Sequence, residues 1–347
     1  MAVGSRFRYV LEEKFRLDGN FIQATLQIPD ASLDPDDSFR NIALVYRMLG
    51  LADAPDVAAM VAIALFGVAV LAAVRWSELA RLTPVGLVTI TACYGLALIY
   101  LAQYSKEFVS LALVGLVLLL RRGAWAEILL VAAMICYAIT MRPYWWIVVI
   151  LYVLGRVLLP RARGLLPVLI VVLAAYGCLQ VAFNTILGES LSFSRTSVNT
   201  LRADINISVG SLIVDFLPDQ VALQWLNAFL VFLSLIAPWP LLLGGSSTYL
   251  VMAVVLGFLW GLVGWGILRI QGERAVGAGR RAARSTTAPL SERSPRPERA
   301  VALMLALVVA QAIFEPDYGS YVKHIVPMLP LFLALLPLKP KWTGEVT

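Results

Sequence analysis

The chain has 347 residues, 60% of them hydrophobic and only 14% charged, with a formal net charge of +6. Its mean hydropathy of +0.81 excludes an ordinary soluble domain and implies an integral membrane protein. Cys93, Cys136 and Cys178 each sit inside an apolar run at no metal-binding spacing, which excludes a disulfide framework. The positive excess lies in short arginine clusters between apolar runs. That is a topology signal rather than a nucleic-acid footprint, so no nucleic-acid partner is expected.

Residues 1–56 contain no apolar run long enough to cross a bilayer, and no signal peptide follows the early Arg6 and Arg8. The parity of the later spans places this segment outside, with Asp30, Asp34, Asp36 and Asp37 offsetting Arg6, Arg8, Lys14 and Arg16. Two readings stand: short amphipathic helices on the outer surface, or an upstream first helix missing from the sequence.

Apolar runs then follow at 57–74, 85–102, 108–120, 124–141, 144–159, 165–187, 249–268, 300–314 and 325–338. The expected fold is all-α: a polytopic helical membrane protein of about nine transmembrane helices within 57–338. The run 221–243 is interrupted by Pro238-Trp239-Pro240 and Gly244-Gly245. It reads as either a full span or a re-entrant or interfacial element, and arginine placement favours the latter.

Arg75 and Arg81, Arg121-Arg122, and Arg156, Arg161 and Arg163 mark successive cytoplasmic turns. Residues 271–299 carry seven arginines and three glutamates among Ser, Pro and Gly, and read as a disordered basic cytoplasmic loop. The tail 339–347 is expected on the same side. Residues 104–107, 141–146, the loop 188–220 and 315–324 then share the outer face. The chemistry of those connections is mixed, whereas the inner turns are mostly arginine and proline.

On that outer face, Arg142 precedes Pro143-Tyr144-Trp145-Trp146, and arginine offers a planar fork of donors matched to phosphate. Lys106 beside Glu107 is read as a second fixed cation, and Arg195 and Arg202 stand in a hydroxyl-rich loop suited to polar ligands. Each has a plainer role. Lys106 and Arg142 can snorkel, Trp145 and Trp146 can form an aromatic belt, and loop arginines can simply be solvated.

The densest chemistry is Glu315-Pro316-Asp317-Tyr318-Gly319-Ser320-Tyr321-Val322-Lys323-His324, which holds the only histidine of the chain. Ionisable groups at the mouth of a span are functional by default, the plainer reading being an interfacial loop of anchoring tyrosines. In a helix, Asp317, Tyr321 and His324 would share one face. Their types suit proton transfer, with His324, Asp317 or Glu315 as the catalytic base. Arg142, Lys106, Lys323, Tyr321, Arg195 and Arg202 are the candidate substrate-binding residues. This set suits glycan transfer from a lipid-linked pyrophosphate, where cations at headgroup depth stabilise the leaving anion without a metal. No metal or other cofactor is expected; Asp34-Pro35-Asp36-Asp37 is a weak metal candidate.

Ser105-Lys106-Glu107 opening a span, Arg142-Pro143 after another, and Glu315-x-Asp317-x-Gly319-Ser320-Tyr321-x-Lys323-His324 before a proline-rich last run resemble the bacterial O-antigen, capsule and exopolysaccharide polymerases (the Wzy-like family). The resemblance covers about 57–338. It implies a multi-pass inner-membrane enzyme that joins undecaprenyl-pyrophosphate-linked repeat units on the outer face. Arg142 would be its cationic position and Lys323–His324 its catalytic one. Expected partners are the lipid-linked glycan, membrane lipid, and a flippase and chain-length regulator. Two alternatives are a GT-C-type glycosyltransferase using a polyprenyl-phosphate sugar, whose acid would be Asp34, Asp36 or Asp37, and a transporter or structural subunit without chemistry.

Overall fold

Apolar runs make most of the helices of this chain, and prolines or glycines follow the ends of several of them. The computed structural model describes residues 11, 15–28, 32–34, 37–204, 212–218, 220–283 and 296–339; the side chains of 201–204, 273–283 and 296 lie outside that description. Among the described residues all repetitive structure is helical, with two isolated β-bridges. The chain divides into one unit of Met1–Pro143, Ser294–Arg296 and Lys323–Thr347, and a second of Tyr144–Arg293 and Pro297–Val322.

In the first unit, α1 (Leu17–Leu26) and α2 (Ser38–Met48) pack against each other. Asp37 caps α2, its Oδ1 accepting from Phe39 N at 2.9 Å and Arg40 N at 3.0 Å, and α2 buries Ile42, Ala43 and Tyr46. Helix α3 (Pro55–Val74) opens on a proline whose missing N–H is no loss at a first helical position. A 3-10 turn, Trp76–Arg81, leads to α4 (Pro84–Tyr100), where Thr83 Oγ1 accepts from Gly86 N at 3.1 Å. Helices α5 (Glu107–Leu119) and α6 (Ala124–Thr140) follow.

The expected ninth span, 325–338, is not a continuous helix. It forms the end of α14 (Tyr318–Ile325), a 3-10 turn Val326–Met328 and the five-residue α15 (Leu329–Leu333). Pro327 and Pro330 remove backbone donors, and five helical residues cover only about 7.5 Å. The segment nonetheless passes from the Arg142 end of the unit to the Arg81 end, where Lys339 N donates to Arg81 O at 2.9 Å. Irregular backbone is tolerated at membrane depth only inside protein. Accordingly Val326, Met328, Leu329, Leu331, Phe332 and Leu333 are buried against α3, α4 and α5.

The second unit holds α7 (Trp145–Leu158), α8 (Leu165–Ala182), prolonged by a π-helical turn Phe183–Leu187, and α9 (Phe193–Asp204). The ambiguous run resolves into α10 (Gln224–Ile236) and α11 (Trp239–Leu243), separated at Ala237-Pro238. Helix α12 (Ser247–Ala283) extends well past the expected boundary at 271, so the first half of the anticipated disordered loop is helical. Its Glu, Arg and Ala residues are good helix formers, and polarity alone did not break the helix. Residues 284–295 lie outside the described set. Helix α13 (Arg296–Phe314) follows, and then α14, within which the division between units falls after Val322.

Among the described residues, four helices are long and apolar enough to cross a membrane: Pro55–Val74, Leu165–Leu187, Ser247–Gly272 and Pro297–Phe314. Five more apolar helices are shorter, among them Glu107–Leu119 and Trp145–Leu158, against the roughly 20 residues a perpendicular span needs. The protein is an all-helical membrane protein on this footing.

Candidate functional site

The first unit gathers Glu107, Arg142 and His324, residues far apart in the chain. Ser105 Oγ accepts from Glu107 N at 3.1 Å and donates to Glu107 Oε2 at 2.6 Å, which fixes the carboxylate at the first turn of α5. A carboxylate is favoured there by the helix dipole. Arg142, just beyond α6, donates Nη2 to Glu107 Oε1 at 2.7 Å and points Nη1 at His324 Nε2, 2.6 Å away. The Tyr137 hydroxyl is within hydrogen-bonding reach of Ser110 and Arg142.

Glu107 is only 1% exposed and Arg142 12%, so this ion pair is largely withdrawn from water. Burial by itself disfavours the charged carboxylate. Lys323, Arg142, His324 and the Ser105 hydroxyl outweigh it and hold Glu107, which precedes the apolar part of α5, well below the usual carboxylate range.

A guanidinium has donors and no acceptor, so the short Arg142–His324 contact requires a lone pair on Nε2. The donor and acceptor roles at the ring follow from this assigned tautomer. His324 Nε2 also stands 3.5 Å from Glu107 Oε1.

Two further cations border the triad. Lys323 pairs with Asp18 of α1. Lys106 Nζ lies 3.7 Å from the centroid of the Phe39 ring and donates to Ser38 Oγ at 3.4 Å. Burial first, and then the Arg142 charge, lowers the Lys106 ammonium to about 8. The backing is firm: the Tyr46 hydroxyl donates to Ser105 O and accepts from Ser105 N, each at 3.1 Å, and its ring meets Tyr104 edge-on at 4.8 Å.

The other expected site residues belong to the second unit and are engaged in holding it together. Asp317 caps α14, its Oδ1 accepting from Ser320 N at 2.8 Å and its Oδ2 from Ser320 Oγ at 2.9 Å. A Cβ on Gly319 would lie 2.8 Å from Asp317 Oδ1, so a side chain there would displace the capping carboxylate. Tyr321 is fully buried, accepting from Trp260 Nε1 at 2.7 Å and donating to Leu235 O at 3.1 Å. Glu315 is buried at the end of α13. Arg195, 1% exposed, is bound to Asp215 and the Ala312 carbonyl, tying the loop to α13 instead of facing solvent. The side chain of Arg202 lies outside the described residues.

The stripe of Asp317, Tyr321 and His324 is thus divided: the first two carry packing and capping bonds, and His324 meets Arg142. Asp34 and Asp37 have local roles at the start of α2, Asp37 as its cap, while Asp36 lies outside the described residues. Sequence reasoning gave no role to Glu107, Asp18 or Tyr137. Glu107 was visible beside Lys106, but nothing local signalled that it would be buried against Arg142. Compared with protein-family models, curated proteins and solved structures, the chain matches none.

Proposed function

We propose that this protein is a membrane polymerase that joins undecaprenyl-pyrophosphate-linked oligosaccharide repeat units on the extracytoplasmic face during surface-polysaccharide synthesis. The observation that carries the reading is the Glu107–Arg142–His324 triad flanked by Lys323 and Lys106: an anion-binding fork and an imidazole, side by side and partly shielded from water. Donors already aimed at the place where charge develops need little reorganisation during reaction.

In this reading the donor diphosphate draws Arg142 Nη1 away from His324 while Glu107 retains Nη2. The freed Nε2 accepts the proton of the acceptor hydroxyl as its oxygen bonds to the donor anomeric carbon. The anomeric carbon–phosphate oxygen bond breaks, and undecaprenyl pyrophosphate leaves with its negative charge met by Arg142 and Lys323. Asp317, as a helix cap, keeps α14 in place, and the base is His324 alone.

Polymer formation from lipid-linked repeat units tests this directly. His324→Ala and His324→Arg should both abolish product while the protein remains folded and inserted, and activity should fall on acidification. Arg142→Lys should lose nearly as much as Arg142→Ala, because a point charge does not reproduce a fork that holds Glu107 with one nitrogen and the diphosphate with the other. Full activity in His324→Arg assigns the residue to a diphosphate clamp. Wild-type activity in His324→Ala with inactivity in Asp36→Ala would overturn the reading in favour of the GT-C alternative.

A further inference from the structure

Helices α7, α8 and α13, all in the second unit, leave between them a groove of about 380 Å³. That is within the size range of small-ligand sites, roughly 300–1,000 Å³. Ile150, Leu154 and Leu158 line one wall, Val171 and Ala175 a second, and Ala306 the floor; none of the lining residues is charged. Along α8 the lining runs from Val168 to Leu179, about 17 Å at the helical rise per residue. Ile150 is 58% exposed and Leu154 47%, so this surface is hydrocarbon without a protein cover.

One end of the trough is cationic. Ala162, part of the lining, stands between Arg161 and Arg163, both exposed. Beyond Gly155 and Leu159, which also border the groove, Arg156 pairs with Glu298 at 3.2 Å and Gln271 Oε1 accepts from Gly164 N at 2.7 Å. The apolar channel therefore ends near polar groups, with Arg161, whose Nη1 donates to Val157 O, and Arg163 on either side of Ala162 in the chain.

We propose that the groove binds one acyl chain of an anionic phospholipid, whose phosphate is held by Arg161 and Arg163. An apolar trough of this length suits a hydrocarbon chain, and the guanidinium fork matches phosphate oxygens. A zwitterionic lipid fills the trough equally well but gains less at the rim, where attraction to anionic lipid is roughly fivefold per arginine. This site is separate from the Arg142–His324 triad and does not depend on the glycan-transfer reading.

Full-length protein extracted with equimolar phosphatidylglycerol and phosphatidylcholine and analysed by native mass spectrometry tests the proposal. Wild type should retain about one phosphatidylglycerol. Arg161→Gln/Arg163→Gln, which alters only exposed side chains, should lose the headgroup preference by at least tenfold while still holding lipid. Ala175→Trp should fill the trough and remove the bound lipid, with gel filtration and thermal unfolding as folding controls. An unchanged preference in the double arginine variant overturns the proposal, and that variant decides alone if Ala175→Trp does not fold. Retention of lipid by a folded Ala175→Trp also overturns it. So does mole-for-mole replacement of phosphatidylglycerol by added undecaprenyl phosphate, which would make the occupant a polyprenyl chain.

Discussion

Replacing Glu107 by Gln tests the triad most directly, because the substitution keeps the shape and removes the charge. Glu107 is 1% exposed and its partner Arg142 12%, so the guanidinium would lose its counter-ion in a poorly solvated place. Breaking a buried pair from one side typically costs about 3–5 kcal/mol. The glutamine oxygen still accepts from Arg142 Nη2, and Arg142 retains some contact with water. The expected loss is therefore about 2–3 kcal/mol, the range of a hydrogen bond to a charged group. At about 2–4 °C per kcal/mol for a unit of this size, the melting temperature should fall roughly 5–10 °C. Tryptophan-fluorescence unfolding in detergent micelles measures it. Glu107→Gln/Arg142→Gln should recover part of the loss, since removing both charges leaves neither one buried alone. Strictly additive single losses, or a Glu107→Gln melt within 1 °C of wild type, would show the pair to be uncoupled and refute the argument.

Asp317→Asn should keep most activity and stability, because asparagine caps a helix as well as aspartate does, whereas Gly319→Ala should destabilise by about 1–2 kcal/mol through loss of the cap. Inactive but folded Asp317→Asn would instead make the carboxylate chemical. Lys106 should acylate with a half-point near pH 8, measured by peptide mapping after pulsed amine labelling; reaction only near pH 10.5 would contradict its burial. Because its folded-state value is lowered from 10.5 to about 8, the unfolded chain binds the extra proton in that window, so the Lys106 contribution to stability should rise as pH rises from 8 to 10.5. Glu107 has the same sign in a lower window: its depressed value makes its contribution fully present above about pH 4.5 and lost on acidification. For topology, impermeant thiol labelling from outside should reach Met48→Cys but not Trp125→Cys, both highly exposed positions; the reverse pattern would invert the assignment of faces.

The sequence by itself determined the class and most element positions, because twenty-residue apolar runs and arginine-rich turns are local signals with a direct physical meaning. It also singled out Arg142, Lys106, Lys323 and His324, residue types that are costly near a membrane. Only the tertiary structure decided how they are grouped. Nothing local distinguishes Asp317, engaged as a helix cap, from a carboxylate available for chemistry, or Arg195, buried on Asp215, from a solvated loop arginine. Glu107 drew no attention because its significance lies in burial against Arg142 and His324, separated from it by 35 and 217 positions. The same holds for the run 325–338. Hydropathy reads it as a span, yet prolines forbid a continuous helix, and only the surrounding α3, α4 and α5 make its irregular backbone tolerable in an apolar setting.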